Sequence, residues 1–157
     1  MKTIRQEMNA MKKAIGLIVM LALLGCACSD DQLEKLTVEF RIAETEPAEG
    51  LTEMTFESTG EKYYLHDEIV LTNEDIVLAE ADQTDFGSII SVTLTSDGAE
   101  RLAQVTGDNI SKHMGIVVDS KLVSCPRINA QISGNKAQII GDFSEEEANR
   151  IATGITE

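Results

Sequence analysis

Tryptophan is absent from this 157-residue chain, proline occurs twice, cysteine three times, and the aromatics amount to four phenylalanines and two tyrosines. So few cysteines cannot staple a disulfide-rich miniature fold, which leaves aliphatic packing to hold the core. Basic residues are scarce too, 13 Lys and Arg against 27 Asp and Glu, for a formal net charge of −14. A nucleic-acid binder needs clustered cations to displace phosphate counterions, so no nucleic acid is expected as a partner. No apolar run approaches the roughly 20 residues that span a bilayer as a helix.

Site chemistry is equally sparse. The two histidines, His66 and His113, form no H-x-H or H-x-x-x-H pair, C-x-x-C is missing, and the acidic residues lack the alternate spacing of a calcium loop. His66 beside Asp67 and Glu68 reads as a surface turn. There is no G-x-S-x-G elbow and no phosphate loop. Cys125 with His113 is the candidate nucleophile pair, but Cys125 precedes Pro126 at a strand end and reads as a packed thiol. The expectation is no metal, no cofactor and no catalysis.

What the chain does contain begins with an address. Lys2, Arg5, Lys12 and Lys13 precede an unbroken apolar run of eleven residues, 14–24, with Met8 and Met11 as alternative starts. That length suits the core of an export signal. The exit, Leu23-Leu24-Gly25-Cys26, resembles a bacterial lipobox, which implies cleavage after Gly25 and diacylglycerol on Cys26. Fatty acyl chains, palmitate among them, would then be the membrane anchor. Cys28 fits worse as the acceptor, because Cys26 would fall inside its box. Loss of residues 1–25 leaves 9 basic against 26 acidic residues, a net of −17. Such a domain is repelled by anionic headgroups, so the lipid alone would attach it. Ala27 rather than aspartate follows Cys26, which favours the periplasmic face of the outer membrane in a diderm envelope. In that oxidising compartment Cys28 and Cys125, 97 positions apart, can pair only if the fold brings them together.

Residues 26–36 read as lipidated cysteine and tether, and 37–157 as one domain, for which 43% hydrophobic residues supply a core. Residues 37–42 alternate as a strand, 44–60 read as an acidic surface excursion, and 63–65 and 69–71 as short strands before a turn at 72–75. Residues 89–94 alternate again. Ser96 or Asp97 then caps a helix whose stripe is Ala99, Leu102, Ala103, Val105 and Ile110, with Lys112 at its end. Residues 115–118 and 121–124 flank Asp119-Ser120 as a two-residue hairpin. A strand at 138–141 leads to a capping box, Ser144 with Glu147, and a helix burying Ala148, Ile151 and Ala152. The fold class is α+β, a mostly antiparallel sheet with two packed helices.

Several of these residues also form a recognisable pattern. S-x-G-A opens the first helix at Ser96, Gly98 and Ala99, and T-x-x-N-I-x-K follows at Thr106, Asn109, Ile110 and Lys112. The hairpin carries Val117, Asp119, Lys121, Val123, Ser124 and Pro126; Ile132 and Gly134 come next, and Gly141, Phe143, Ser144, Glu147 and Ala148 close the run. This resembles the head part of the first periplasmic domain of SecD and SecDF, accessory subunits of protein export. Ser120 stands where that family has a hairpin glycine and Cys125 where it has a small alanine. Nothing in these residues matches the membrane-embedded half of SecD, so the resemblance implies binding of extended chains and no proton-driven motor. The resulting expectation is a noncatalytic envelope lipoprotein that binds polypeptide or preprotein clients, with Lys121 and Arg127 as positions to probe. The alternative is a lipid-anchored docking module for one fixed envelope partner.

Overall fold

The computed structural model describes residues 35–85 and 87–156, so the export address, Cys26 and Cys28 lie outside the described residues. Its strands are β1 (Val38–Glu44), β2 (Leu51–Phe56), β3 (Glu61–Thr72), β4 (Ile76–Thr84), β5 (Gly87–Leu94), β6 (His113–Val118), β7 (Lys121–Ser124) and β8 (Lys136–Phe143). The helices are α1 (Ser96–Asp108) and α2 (Glu145–Thr156). The strands divide between two antiparallel sheets, ordered β2-β3-β1-β6-β7 and β4-β5-β8. The α+β class read from the sequence therefore holds, with two sheets in place of one.

Alternation explains which face each strand buries. Val38, Phe40 and Ile42 point into the main core while Glu39 and Arg41 point away and pair at 2.7 Å. β5 does the same with Ile90, Val92 and Leu94. These meet Leu102 of α1, Ile139 of β8 and Ala148, Ile151, Ala152 and Ile155 of α2, so one core joins both sheets to both helices. Each such large aliphatic side chain contributes about 1.5–3 kcal/mol on burial. Ala43, Leu65, Val117 and Leu122 form a second, smaller core, with Phe56, Tyr63 and Cys125 packed against it. Val117 lies between Ile116 and Val118 and so faces the opposite side of its sheet. The edge strands β2 and β7 approach each other, curling the five-stranded sheet around this second core.

The ends of the domain meet at Asn73. Its Oδ1 accepts from the Val38 N–H at 2.8 Å, and its Nδ2 donates to the Leu36 carbonyl at 2.8 Å and the Ile155 carbonyl at 2.9 Å. Leu36 N–H donates to the Gly154 carbonyl at 2.8 Å. Leu36, which the sequence places in the tether, is fully buried in the main core.

Several other expectations are corrected. The excursion 44–60 contains β2, an edge strand with no fully buried residue and so only a weak apolar signal. The two short strands around 63–71 are one strand, β3, and His66-Asp67-Glu68 lies inside it rather than in a turn. Register shifts opposite Phe40, Arg41 and Ala43 switch the buried face partway and break the alternation. β4 follows the 3-10 turn at Asn73–Asp75, where only that turn was expected. The α1 cap is Thr95, one residue before Ser96, its hydroxyl accepting from the Gly98 N–H at 3.1 Å. The helix stops at Asp108, leaving Ile110 53% exposed, and Lys112 pairs with Glu44 at 2.8 Å instead of facing the helix end.

Two glycines of the family pattern have steric reasons. A Cβ on Gly98 would stand 2.9 Å from the Asp75 Cβ, and one on Gly141 would stand 2.8 Å from the Val123 carbonyl oxygen.

Replacing Asn73 by Ala should cost about 2–4 kcal/mol in urea unfolding, because three backbone groups lose their partner. Asp119 and Ser120 occupy φ of 46° and 66°, the two left-handed positions of a primed turn. Ser120→Gly should raise stability by about 0.5–1 kcal/mol, read as a higher urea midpoint at unchanged slope.

Candidate functional site

β8 is an edge strand: β5 pairs with one side, and among the described residues no strand is paired with the other. Thr93 stands opposite Lys136 and Val92 opposite Ala137, and the Leu94 N–H donates to the Asn135 carbonyl at 2.7 Å. Antiparallel ladders alternate, so Asn135, Ala137 and Ile139 turn their backbone groups toward β5 while Lys136 and Gln138 turn theirs away. Ile140 is the next outward residue, and the Ser124 hydroxyl already donates to its carbonyl. The open edge is therefore short, which limits indiscriminate strand pairing.

Alongside it runs a groove of about 840 Å³, within the usual range for ligand-holding clefts. Buried Leu102, Met114 and Ile116 line its floor, and residues 126–132 form the wall facing β8. Ile132 and Ile140 line it while remaining 38% and 59% exposed. Exposed apolar side chains gathered at a cleft are the usual mark of an interaction site.

The wall has no regular secondary structure, yet it is fastened at several points. The Ser111 N–H donates to the Ile128 carbonyl and the Ile128 N–H to the Lys112 carbonyl, both at 2.8 Å, and Ile128 is buried. The Ile132 N–H donates to Thr106 Oγ1 at 3.0 Å, and that fully buried hydroxyl donates onward to the Leu102 carbonyl at 2.6 Å. Thr106 thus couples α1 to the wall. The sequence marks it only as one position of the family pattern.

The other residues singled out by sequence sit elsewhere. His66 Nε2 lies 3.2 Å from Glu44 Oε1, which also takes the Lys112 ammonium at 2.8 Å. The Lys112 hydrogen bond is the main cause holding the Glu44 carboxyl below the usual range. His113 and Cys125 both flank Tyr63: the His113 and Tyr63 rings are 5.4 Å apart, and Cys125 packs with Tyr63 against the second core. No hydrogen bond joins His113 to Cys125 among the described residues. Burial, then the nearby Arg127, pushes the His113 imidazole below its ordinary pKa. Burial, with Glu61 adding to it, pushes the free Cys125 thiol up to about 12. Thiolate is then very scarce at neutral pH, a poor starting point for a nucleophile. Among the described residues no group of three or more His, Cys, Asp or Glu is placed to hold a metal.

The family model described as SecDF, P1 head subdomain, matches residues 49–156. This contains the run recognised from 90 to 152 and extends the likeness to β2, β3 and β4. The protein translocase subunit SecD of Rickettsia bellii is 42% identical over 65 residues, 41% of this chain and 13% of that protein. The protein translocase subunit SecDF of Brucella abortus is 33% identical over 110 residues, 69% of this chain and 14% of that protein. The chain thus spans about one seventh of the length of these relatives. A solved structure of SecDF, described as a membrane component that enhances protein export, superposes with a TM-score of 0.63 at 28% identity, covering 78% of this chain and 63% of that one. A crystal structure of SecDF in the super-membrane-facing form gives 0.64 at 29% identity, covering 78% of this chain and 19% of that one.

Three outcomes follow from this geometry. Thr106→Val should cost about 1–3 kcal/mol, because the Ile132 N–H loses its acceptor, and amide exchange at Ile132 should quicken more than in β1. Native Cys125 should react with iodoacetamide far more slowly than the same thiol in urea. The unfolded chain binds a proton at its ordinary histidine value while native His113 resists it, so stability should fall as pH drops through about 6.5 toward the lower native value. His113→Gln should remove that component of the pH dependence.

Proposed function

The chain belongs to the SecDF P1 head subdomain family, and from that premise we propose that it is a noncatalytic envelope lipoprotein. Its domain binds extended polypeptide segments outside the cytoplasmic membrane, and Cys26 carries the lipid that holds it there. The observation that carries this reading is the open edge of β8, where Lys136 and Gln138 turn backbone donors and acceptors toward an apolar groove. An extended client adds a strand there: the main chain supplies affinity and alternate side chains enter the groove. The likeness to subunits named protein translocase subunit SecD supports a polypeptide as the ligand. Leu23-Leu24-Gly25-Cys26 supports the anchor. A strand-adding edge reads backbone more than sequence, which favours many clients over the alternative of one fixed envelope partner.

Photo-crosslinking in cells from probes at Ile132, Arg127 and Lys121 separates the two. Many different exported chains captured at Ile132 and Arg127, with few at Lys121, is the expected result; one dominant partner supports the docking module. Gln138→Pro removes an outward N–H that β5 does not use. It should weaken binding of an unfolded chain about tenfold while shifting the thermal midpoint little. Cys26→Ser should abolish incorporation of labelled palmitate and release the protein from membranes.

A further inference from the structure

Past its last strand residue, β7 keeps the register of the hairpin. Ile116 of β6 stands opposite Ser124 of β7. Further along, the Met114 N–H donates to the Pro126 carbonyl at 2.9 Å, and the Ile128 N–H donates to the Lys112 carbonyl at 2.8 Å. Each contact is the same step onward along both chains, so residues 126–128, the first part of the groove wall, continue β7 along the start of β6. Between those two hydrogen-bonded positions His113 and Arg127 form a bridge.

This continuation is thinly held. Pro126 has no N–H to return to Met114, and the Lys112 N–H is taken by the Asn109 carbonyl at 3.2 Å, so both positions have one ladder bond instead of two. The Ser111 N–H adds one more, to the Ile128 carbonyl at 2.8 Å. His113 and Arg127 occupy the non-hydrogen-bonded position, where opposite side chains share a face and come closest. Like charges placed there oppose the pairing. Arg127 is always charged, whereas His113 is charged only when protonated.

The other groups around the His113 ring come from three elements. Ala43 of β1 stands opposite it and is neutral, and Tyr63 of β3 packs its ring 5.4 Å away. Cys125 shares the face of Arg127 and packs with Tyr63 against the second core. Glu44 at the end of β1 and Glu61 of β3 attract an imidazolium, but burial and Arg127 outweigh them. Both carboxylates have partners of their own: Glu44 takes Lys112 and His66, and Glu61 accepts from the Thr59 and Tyr63 hydroxyls. Parting residues 126–128 from β6 removes Arg127 and uncovers the ring, so the open arrangement binds a proton more readily than the closed one. Acid therefore shifts the balance toward the open arrangement.

We propose that His113 and Arg127 form an acid-sensitive clasp on the groove wall: protonation of His113 parts residues 126–128 from β6 and loosens the hold on a chain lying along β8. Pro126, Arg127 and Ile128 all line the groove, and Ile128 is the wall residue buried in the main core beside the Leu102 and Met114 floor. The effect on a bound chain rests on the strand-addition reading, whereas the clasp itself does not.

Hydrogen exchange on the full chain tests the clasp. With His113 of the open arrangement titrating at the ordinary 6.5, protection at Ser111, Met114 and Ile128 should fall by up to about tenfold between pH 7.5 and 5.5, while that of β5 holds. His113→Gln should abolish this loss, Arg127→Glu should flatten it, and His66→Gln should leave it. An equal loss in β5, or a loss that persists in His113→Gln, would overturn the clasp. Binding of fluorescent, reduced and carboxymethylated α-lactalbumin, a permanently unfolded chain, should weaken several-fold at the lower pH in the native sequence and not in His113→Gln. Unchanged affinity in the native sequence would overturn the coupling to the groove. Failure to bind at either pH would overturn the strand-addition reading, and the exchange data would still decide the clasp.

Discussion

One side-chain amide holds the two ends of this domain together. Asn73 bonds to the backbone of Leu36 and Val38, where the described chain enters the fold, and of Ile155, near its close. Because β1 begins there and is the central strand of the five-stranded sheet, this contact fixes the strand on which β3 and β6 are registered. The 3-10 turn carrying Asn73 is also where the chain leaves one sheet for the other. Thr37 adds a second clasp, its N–H and hydroxyl both donating to Asp119 Oδ1 at 2.9 and 3.1 Å. The point at which the described chain enters the domain is therefore bonded to the core.

The same economy shapes the groove. An open sheet edge is a hazard as well as a binding device, and parts of the edges in this domain are closed. β2 and β7 curl toward each other around Leu65, Val117 and Leu122, and Ser124 closes β8 at Ile140. On β8, what stays open is the stretch beside residues 126–132, which Thr106 and Ile128 tie to α1 and to the segment leading into β6. A wall held at a few points can confine a ligand without filling the cleft itself.

Sequence legibility followed burial. β5, the β6-β7 hairpin and α2 were readable because each buries one face in a regular period: Ile90, Val92 and Leu94 alternate, and Ala148, Ile151 and Ala152 recur at helical spacing. β2 escapes detection because none of its residues is fully buried, and β3 reads as two strands because bulges interrupt its alternation. The α1 cap moved to Thr95 because several adjacent residues can cap and geometry decides among them. Within the candidate site, Ile132 was visible only as part of a family pattern. Lys136, Gln138 and Ile140 carried no signal that separated them from any other strand.

The sequence by itself determined the α+β class, the family and the sparseness of chemistry-bearing side chains, since periodicity, turn residues and residue counts are local properties. Tertiary structure alone decided that the strands fall into two sheets, that β8 lies at an edge, and that its outward backbone groups face a groove. The physical reason is that an edge is defined by which strand is not beside it. Pairing across as many positions as separate Thr93 from Lys136 is set by the packing of the whole core, not by the residues of either strand.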